Sequence, residues 1–177
     1  FNNNHKLIYN DVRKFGFIKF FENQDLNFNL HLNKLGPEPL EKKFNYIYFK
    51  SYIIGRNRTI KDILMDQKFV SGIGNIYANE ILFLSKVKPT RKVKKLKIFE
   101  LKKLVNFIKI VLNSSIKLGG SSIKDFSSSN GKKGSFQQHF NVYGKKGELC
   151  CNKNCESKIV RSIISNRATF FCPKCQK

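Results

Sequence analysis

The chain has 177 residues, and 34 Lys and Arg against 12 Asp and Glu leave a formal net charge of +22 at pH 7. Hydrophobic residues make up 41% of it, which excludes a wholly disordered basic tail. No apolar run reaches the roughly 18–20 residues of a membrane-spanning helix, and residues 1–9 lack the apolar stretch of a secretory signal. So positive a chain most often binds nucleic acid, although an AT-rich genome also produces part of such a Lys excess.

Two strand-like runs, Lys6–Tyr9 and Phe15–Phe21, come first and are joined by the turn-forming pair Asn10-Asp11. The second run holds four Phe residues and is too densely apolar for a solvent-facing edge, which predicts a strand packed in a sheet. Residues 35–40, Leu-Gly-Pro-Glu-Pro-Leu, contain two prolines and a glycine and predict a linker.

Beyond residue 40 the apolar period shifts towards 3.6 residues, which predicts helices. The longest covers Phe99–Leu118, where one apolar stripe runs along the segment and Gly119-Gly120 provide the stop. The other predicted helices are Leu40–Lys50, Ile60–Asp66 and Asn75–Ser85. Residues 121–135 are polar and rich in Ser and Gly, which predicts a mobile loop.

A glycine-containing turn lies between two of these helices, in the segment Val70–Glu80. Gly72 and Gly74 permit backbone turns and close approaches that side chains would block. Asn75 then falls at a predicted helix N-cap, which leaves backbone N–H groups available to an anion. A tight helix–helix turn without any ligand explains the same residues equally well.

Five cysteines fall into two groups, Cys150, Cys151 and Cys155 before a gap and Cys172 and Cys175 after it. Four thiolates in two pairs at this separation are typical of a tetrahedral structural zinc site. A disulfide with a spare thiol is disfavoured, because no secretory signal points to an oxidising compartment. Spacing alone leaves the fourth ligand open, since Cys150 forms a C-x4-C pair with Cys155 and Cys151 forms a C-x3-C pair.

A series of motifs, in order along nearly the whole chain, resembles the family of formamidopyrimidine-DNA glycosylase and endonuclease VIII. These motifs are Tyr9–Gly16, Leu35–Leu40, Ile60–Asp66, Gly72–Ala78, Gly119–Phe126, Val142–Gly144 and Arg167–Lys177. The resemblance covers the C-terminal two-thirds of such an enzyme and implies an α+β multidomain fold. It implies the end of an N-terminal β-sandwich catalytic domain over residues 1–34 and a helix–two-turn–helix DNA-binding domain with a lesion-covering loop over 35–141. A β-hairpin zinc finger would follow over 142–177.

The resemblance also implies site residues. Arg13 and Phe15 would fill the gap left by a flipped base, because a ring can wedge into the stack while a guanidinium bonds the widowed base. Lys61 and the turn at Gly74-Asn75 would clamp phosphates. The remaining DNA contacts implied are Arg56, Asn57 and Arg58 on the loop before Lys61, and Lys124 in the loop Lys124–Phe136 that would cover an everted purine. Val12, Lys14 and Asn57 depart from the family pattern, which puts loop stiffness and some phosphate contacts in doubt.

Two further roles follow from the resemblance. Arg167 would contact the phosphates that flank the lesion and assist the second elimination step, which makes it the one catalytic residue assigned here. One Zn²⁺ ion would be held by Cys150, Cys155, Cys172 and Cys175. Cys150 is favoured because Gly147–Cys150 resembles the family's Gly-x-Pro-Cys motif. Cys151 would then be a spare thiol, with its use as a ligand as the rival reading.

The function implied is base-excision repair, in which a bifunctional DNA glycosylase and AP lyase removes oxidised purines such as 8-oxoguanine and cleaves the strand by β,δ-elimination. The family's nucleophile is an N-terminal proline amine followed by glutamate, and Phe1-Asn2-Asn3 does not match it. We therefore expect this chain to supply binding to damaged double-stranded DNA and lesion sensing without the nucleophile. We also expect a monomer in the bacterial cytoplasm, associated with the nucleoid and not with a membrane.

Two alternatives remain open at this point. One is an endonuclease VIII-type enzyme for oxidised pyrimidines, which Arg13-Lys-Phe15 and the long loop disfavour. The other is a zinc-dependent DNA-binding module without catalysis. A Pro-Glu start in an upstream reading frame would separate this last reading from the repair enzyme.

Overall fold

The computed structural model describes residues 6, 8–11, 14, 16–20, 22, 32–121 and 134–177. The chain divides into two units, Phe1–Asn33 and Lys34–Lys177. Among the described residues of the first unit none lies in a strand, and Phe17 and Phe20 are exposed. The strand predicted over Phe15–Phe21 is therefore not formed in its described part, since a strand needs a paired neighbour for its backbone groups. The sandwich remnant stays a prediction.

Four α-helices occur in the described part of the second unit: α1 (Tyr46–Ile53), α2 (Ile60–Leu64), α3 (Asn75–Leu84) and α4 (Ile98–Lys117). Short 3₁₀ turns lie at Val93–Lys95, before α4, and at Phe136–His139, after it. The bounds of α2, α3 and α4 agree with the prediction to within two residues. In the described ranges, no helix combines the length and apolarity needed to cross a bilayer.

The start of α1 differs from the prediction, because the helix begins at Tyr46 and not at Leu40. The Asn45 side chain caps it by accepting hydrogen bonds from the backbone N–H groups of Ile47 and Tyr48, at 3.0 and 3.1 Å. An Asn in extended backbone is a strong helix start, and it overrides the apolar residues that precede it.

The helices enclose an apolar core in which Phe69 is central. Its ring centroid lies 4.6 Å from that of Phe49 and 5.6 Å from that of Phe44. The predicted stripe of α4 packs against this core through Leu101, Leu104, Ile108 and Val111. Burial of each such side chain contributes about 1.5–3 kcal/mol, so packing holds these helices together.

Residues 35–40 do not form a free linker. The Gly36 N–H donates to the Gln67 carbonyl at 2.7 Å, and the Ser71 N–H donates to the Pro37 carbonyl at 3.2 Å. A Cβ atom on Gly36 would lie 2.4 Å from the Phe69 carbonyl, so only glycine fits this close approach. The segment is therefore packed against the turn between α2 and α3.

The cysteine module, defined here as residues 142–177, contains the predicted β-hairpin. Its strands β1 (Val160–Ile164) and β2 (Arg167–Phe171) are antiparallel, in a register that pairs Val160 with Phe171 and Ile164 with Arg167. The turn residues Ser165 and Asn166 have φ angles of 49° and 58°, the left-handed conformation that suits the twist of a two-residue hairpin. Arg167 consequently stands at the tip of the hairpin.

Two polar residues of α3 attach the cysteine module to the helices. The Asn79 Oδ1 atom accepts the Phe170 backbone N–H at 2.7 Å. The Glu80 carboxylate, only 1% exposed, accepts the backbone N–H groups of Asn141, Val142 and Tyr143 at 2.8–3.0 Å and the Asn141 side-chain amide at 2.9 Å. Helix α3 therefore serves as a common support for the hairpin and for the segment that leads into it.

Candidate nucleic-acid interface and metal centre

A cleft of about 470 Å³ lies between α2 and the tip of the hairpin. Three cationic and two acidic side chains line it, together with apolar and amide groups. The lining residues are Arg58, Lys61, Asp62, Met65, Asp66, Gln67, Ile164, Ser165 and Arg167. Two segments far apart in the sequence contribute cations to this cleft. The positive charge of the cleft therefore depends on the position of the hairpin relative to α2.

The side chains of Lys61 and Asn75 converge on a single backbone carbonyl, that of Ala168. The Lys61 Nζ atom donates to it at 3.3 Å and the Asn75 Nδ2 atom at 3.0 Å. Lys61 Nζ also donates to the Thr169 hydroxyl at 2.5 Å. Since Ala168 directly follows Arg167, the structure brings together Lys61, Asn75 and the hairpin tip that carries Arg167.

Lys61 is a buried cation, with 1% of its surface exposed. Burial lowers the pKa of Lys61 to about 8; the negative charge of Asp62 opposes this shift and the positive charge of Arg167 adds to it. Two of the three donors of the ammonium are used by Ala168 and Thr169. No third acceptor contacts the ammonium in the described part of the chain, which leaves one donor for an acceptor in the cleft.

The start of α3 corrects one prediction, because the N-cap is Gly74 and Asn75 is the first helical residue. The Asn75 amide bonds Ala168 instead of capping the helix. Among the described residues, no side chain caps the first turn of this ten-residue helix. Uncapped N–H groups and the positive end of the helix dipole favour an anion at this position.

Of the three predicted contacts on the loop before α2, only Arg58 lines the cleft. Its guanidinium forms an ion pair with Asp66 and donates to the Asp62 carbonyl at 3.0 Å. Arg56 lies over the Tyr52 ring at 4.2 Å and donates to the Tyr52 carbonyl at 2.6 Å. Asn57 is exposed, so Arg56 and Asn57 lie on the surface beside the cleft and not in it.

Three predicted DNA contacts, Arg13, Phe15 and Lys124, lie outside the described residues. Their proposed roles in filling the stack and covering the base stay predictions.

The structure gathers four cysteine sulfurs in one place. The Sγ atoms of Cys150, Cys155, Cys172 and Cys175 all lie within 4.8 Å of one another. Three of the separations are 3.4, 3.7 and 3.8 Å, close to the roughly 3.8 Å between sulfurs of a tetrahedral site with Zn–S distances of about 2.3 Å. These four cysteines therefore lie close enough together to hold a metal ion, and the donor set fits zinc.

The surroundings of Cys172 also favour a thiolate. Burial would raise its pKa, but hydrogen bonds from the backbone N–H groups of Cys175 and Lys174 and from the Cys150 and Cys155 thiols outweigh it and lower the pKa to about 7. Cys151 lies outside the cluster, where its exposed thiol donates to Asn141 Oδ1 at 3.4 Å. The geometry therefore favours Cys150 over Cys151 as the fourth donor.

Sequence reasoning missed several residues that build this region. Asn79 and Glu80 lie among the buried apolar residues of α3, and a carboxylate inside such a stripe is a usable signal of a buried polar partner. The hydrogen bond between Asp62 and Ser165 joins residues 103 positions apart and has no local signal.

Comparisons with known proteins agree with this geometry. The family model of the formamidopyrimidine-DNA glycosylase H2TH domain matches residues 35–127. The chain is 45% identical over 176 residues to formamidopyrimidine-DNA glycosylase of Haemophilus influenzae, which covers 99% of this chain and 64% of that protein. It is 39% identical over 175 residues to the Roseobacter denitrificans enzyme, covering 99% of this chain and 62% of that protein.

Among solved structures, a Lactococcus lactis FPG mutant in complex with Fapy-dG-containing DNA is similar, with a TM-score of 0.86 and 35% identity. That similarity covers 94% of this chain and 60% of the other. The chain thus spans about three-fifths of the length of the proteins it matches.

Proposed function

The chain belongs to the formamidopyrimidine-DNA glycosylase family, and on that basis we propose that it binds damaged duplex DNA in the base-excision repair of oxidised purines. It supplies DNA binding and lesion sensing to a bifunctional glycosylase and AP lyase. The substrates are 8-oxoguanine and formamidopyrimidine lesions, removed with β,δ-elimination of the strand. Its setting is the bacterial cytoplasm, where it acts as a monomer on the nucleoid.

The observation that carries this proposal is the convergence of Lys61, Asn75 and the Arg167-bearing tip on the Ala168 carbonyl. Phosphates are contacted by ammonium, amide and guanidinium donors and by helix N-termini, and these groups occur together here. Arg167 at the exposed tip offers the planar fork that binds a phosphate through two hydrogen bonds. Lys61 and the first turn of α3 would bind a neighbouring phosphate.

In the same proposal the cysteine cluster holds one structural Zn²⁺ through Cys150, Cys155, Cys172 and Cys175. Zinc bound to four thiolates would supply folding energy to the cysteine module. The hairpin then holds Arg167 beside α2. The metal has no part in the chemistry of base removal.

A duplex-binding titration tests the proposal. The zinc-loaded chain is mixed with a fluorescent duplex that contains 8-oxoguanine opposite cytosine, and anisotropy is followed at several salt concentrations. We expect a log–log salt slope of about −2 to −4, since a few phosphates are neutralised. Arg167→Ala should reduce the magnitude of that slope by about 1.

The same mixtures are treated with borohydride to trap any covalent adduct. Salt-sensitive binding without an adduct fits a chain that binds DNA and does not itself carry the nucleophile. A trapped adduct would assign the amine to these 177 residues, and an absence of binding would overturn the repair function proposed here.

A further inference from the structure

A hydrogen bond across the cleft joins α2 to the hairpin tip. The Ser165 hydroxyl donates to the Asp62 Oδ1 atom at 2.5 Å. Both residues line the cleft, and Ser165 is one of the two turn residues that directly precede Arg167. The hydrogen bonds that α2 and α3 make with this strand, at Ala168, Thr169 and Phe170, lie on the far side of Arg167 from the turn. Ser165 therefore provides an attachment on the turn side.

The Asp62 carboxylate is also held by a residue of its own helix start, Thr59. Its Oδ2 atom accepts the hydroxyl of Thr59 at 2.7 Å, and Thr59 in turn caps α2 by accepting the Asp62 backbone N–H at 3.2 Å. Burial would raise the pKa of Asp62, but the hydrogen bonds from Ser165 and Thr59 and the charge of Arg58 outweigh it and lower the pKa. Each carboxylate oxygen thus has a hydroxyl donor, and the group is an ionised, fixed acceptor.

A carboxylate at this place opposes the binding of phosphate by simple repulsion. The same cleft is nevertheless lined by the cations Arg58, Lys61 and Arg167. Hydrogen bonds from hydroxyl groups to both of its oxygens reduce that repulsion, and the bond from Ser165 attaches the hairpin turn to α2. The remaining repulsion is offset if a fixed position of the hairpin tip favours phosphate binding.

We propose that Asp62 and Ser165 are positioning residues, whose hydrogen bond holds Arg167 at the spacing from Lys61 and Asn75 that two neighbouring DNA phosphates require. This inference rests on the proposed function. The bond acts through Arg167 and makes no contact with DNA itself. Without it, the two-residue turn pivots about the Ala168 and Thr169 contacts, and the guanidinium samples positions away from the phosphate.

A double-mutant cycle on the zinc-loaded chain tests the proposal with an 8-oxoguanine duplex. Ser165→Ala removes the hydroxyl and leaves the Cβ atom and the turn in place. We expect the Kd to rise roughly threefold to tenfold, the range of one lost hydrogen bond. In the Arg167→Ala background the same substitution should change Kd by less than about twofold, because the group that it positions is gone.

Ser162→Ala on β1 is the matched control, since the Ser162 hydroxyl is buried without a hydrogen-bond partner among the described residues. It should leave Kd unchanged. Asp62→Asn is the second variant; it removes the charge, keeps an acceptor for Ser165, and should weaken binding less than Ser165→Ala does. Thermal unfolding of each variant separates a shifted tip from a damaged fold.

The outcomes distinguish this inference from the proposed function. If Ser165→Ala weakens binding equally with and without Arg167, or no more than Ser162→Ala does, the positioning role is overturned while DNA binding stands. If Arg167→Ala binds as wild type, the positioning role falls as well. If wild type shows no salt-sensitive binding to the duplex, the proposed function fails and this inference fails with it.

Discussion

The helical region and the cysteine module are stabilised in different ways. In the described residues, the main core cluster contains twenty buried apolar side chains, nearly all from the helices and the turns between them. The second cluster contains six, of which two are the cysteines Cys150 and Cys172 and one, Phe83, belongs to α3. The helical region holds itself together by packing, whereas the module relies on its sulfur cluster and on polar contacts with α3.

This difference follows from size. A segment of a few dozen residues buries too little apolar surface to offset the conformational entropy of folding, so it needs a metal or a neighbour. The cysteine module has a place for each, because four sulfurs close enough together to hold a metal ion converge inside it and Asn79 and Glu80 attach it to a helix. The position of the hairpin therefore depends on these two supports, in addition to the contacts of Lys61, Asn75 and Asp62 with its tip.

Loss of the metal should have the largest effect. Chelation removes the metal and Cys150→Ser removes one of its four ligands, and zinc binding contributes about 10–16 kcal/mol in zinc-finger peptides. We expect the cysteine module to unfold and duplex binding to be lost, while the helical circular dichroism signal persists. Zinc content and the far-ultraviolet spectrum are measured on the same samples.

Cys151→Ser is the matched comparison, because it changes the neighbouring thiol that lies outside the cluster. It should retain one zinc per chain and full binding. The reverse result, with zinc lost only from the Cys151 variant, would contradict the ligand set proposed here.

Glu80→Gln should have the next largest effect, because it weakens the attachment between the two regions. The carboxylate accepts four N–H donors, and a glutamine offers one oxygen and an amide that opposes the remaining donors. We expect a loss of about 3 kcal/mol in the free energy of unfolding. Denaturant titration with separate probes for the helices and for the zinc site should show two transitions.

Exposed Glu156, within the cysteine module, provides the control. Glu156→Gln makes the same chemical change and should alter stability by no more than about 0.5 kcal/mol. Equal effects of the two substitutions would mean that the attachment through Glu80 is not important for stability.

The smallest predicted effect concerns pH and the buried Lys61. Its pKa in the folded protein is about 8, below the ordinary value of 10.5, so the unfolded chain binds more protons between these two values. Protonation of the buried Lys61 therefore destabilises the folded state below pH 8, and this destabilisation decreases as the pH rises. Relative to Lys61→Met, the free energy of unfolding of the wild type should increase by about 1 kcal/mol per pH unit between pH 8 and 10.

This difference is measured by urea unfolding of both proteins at half-unit pH steps, with zinc present. Subtracting the variant removes the contribution of every other titrating group. A difference that stays constant across the range would show that Lys61 is not held as a buried cation.

The local parts of the structure could be predicted from the sequence. The apolar period located α2, α3 and α4, the Gly119-Gly120 pair marked the end of α4, and the cysteine spacing indicated a metal cluster. The N-cap of α3 lies one residue earlier than the pattern predicts, because Gly74 and not Asn75 adopts the extended N-cap conformation. The N-cap position depends on local backbone geometry, which a residue pattern determines only approximately.

The non-local parts could not be predicted. Whether Arg58 faces a phosphate or Asp66, and whether Asp62 meets Ser165, depends on how α2 and the hairpin are placed after folding. The linker predicted over residues 35–40 is wrong for the same reason. Two prolines and a glycine are typical of a linker, and the close approach of Gly36 to Phe69 that packs the segment is a contact between residues far apart in the sequence.

The attachments between the cysteine module and the helices also have a consequence for the order of folding. Their partners are 62 to 108 residues apart along the chain, from Glu80–Val142 to Lys61–Thr169. Contacts of such long range form slowly, because a large loop must close before any of them is made. The helices can form on the ribosome before the hairpin has been synthesised, and we expect docking of the hairpin to be the slowest event. Until that event, the carboxylate of Glu80 and the amide of Asn79 remain exposed to water on an otherwise completed helix.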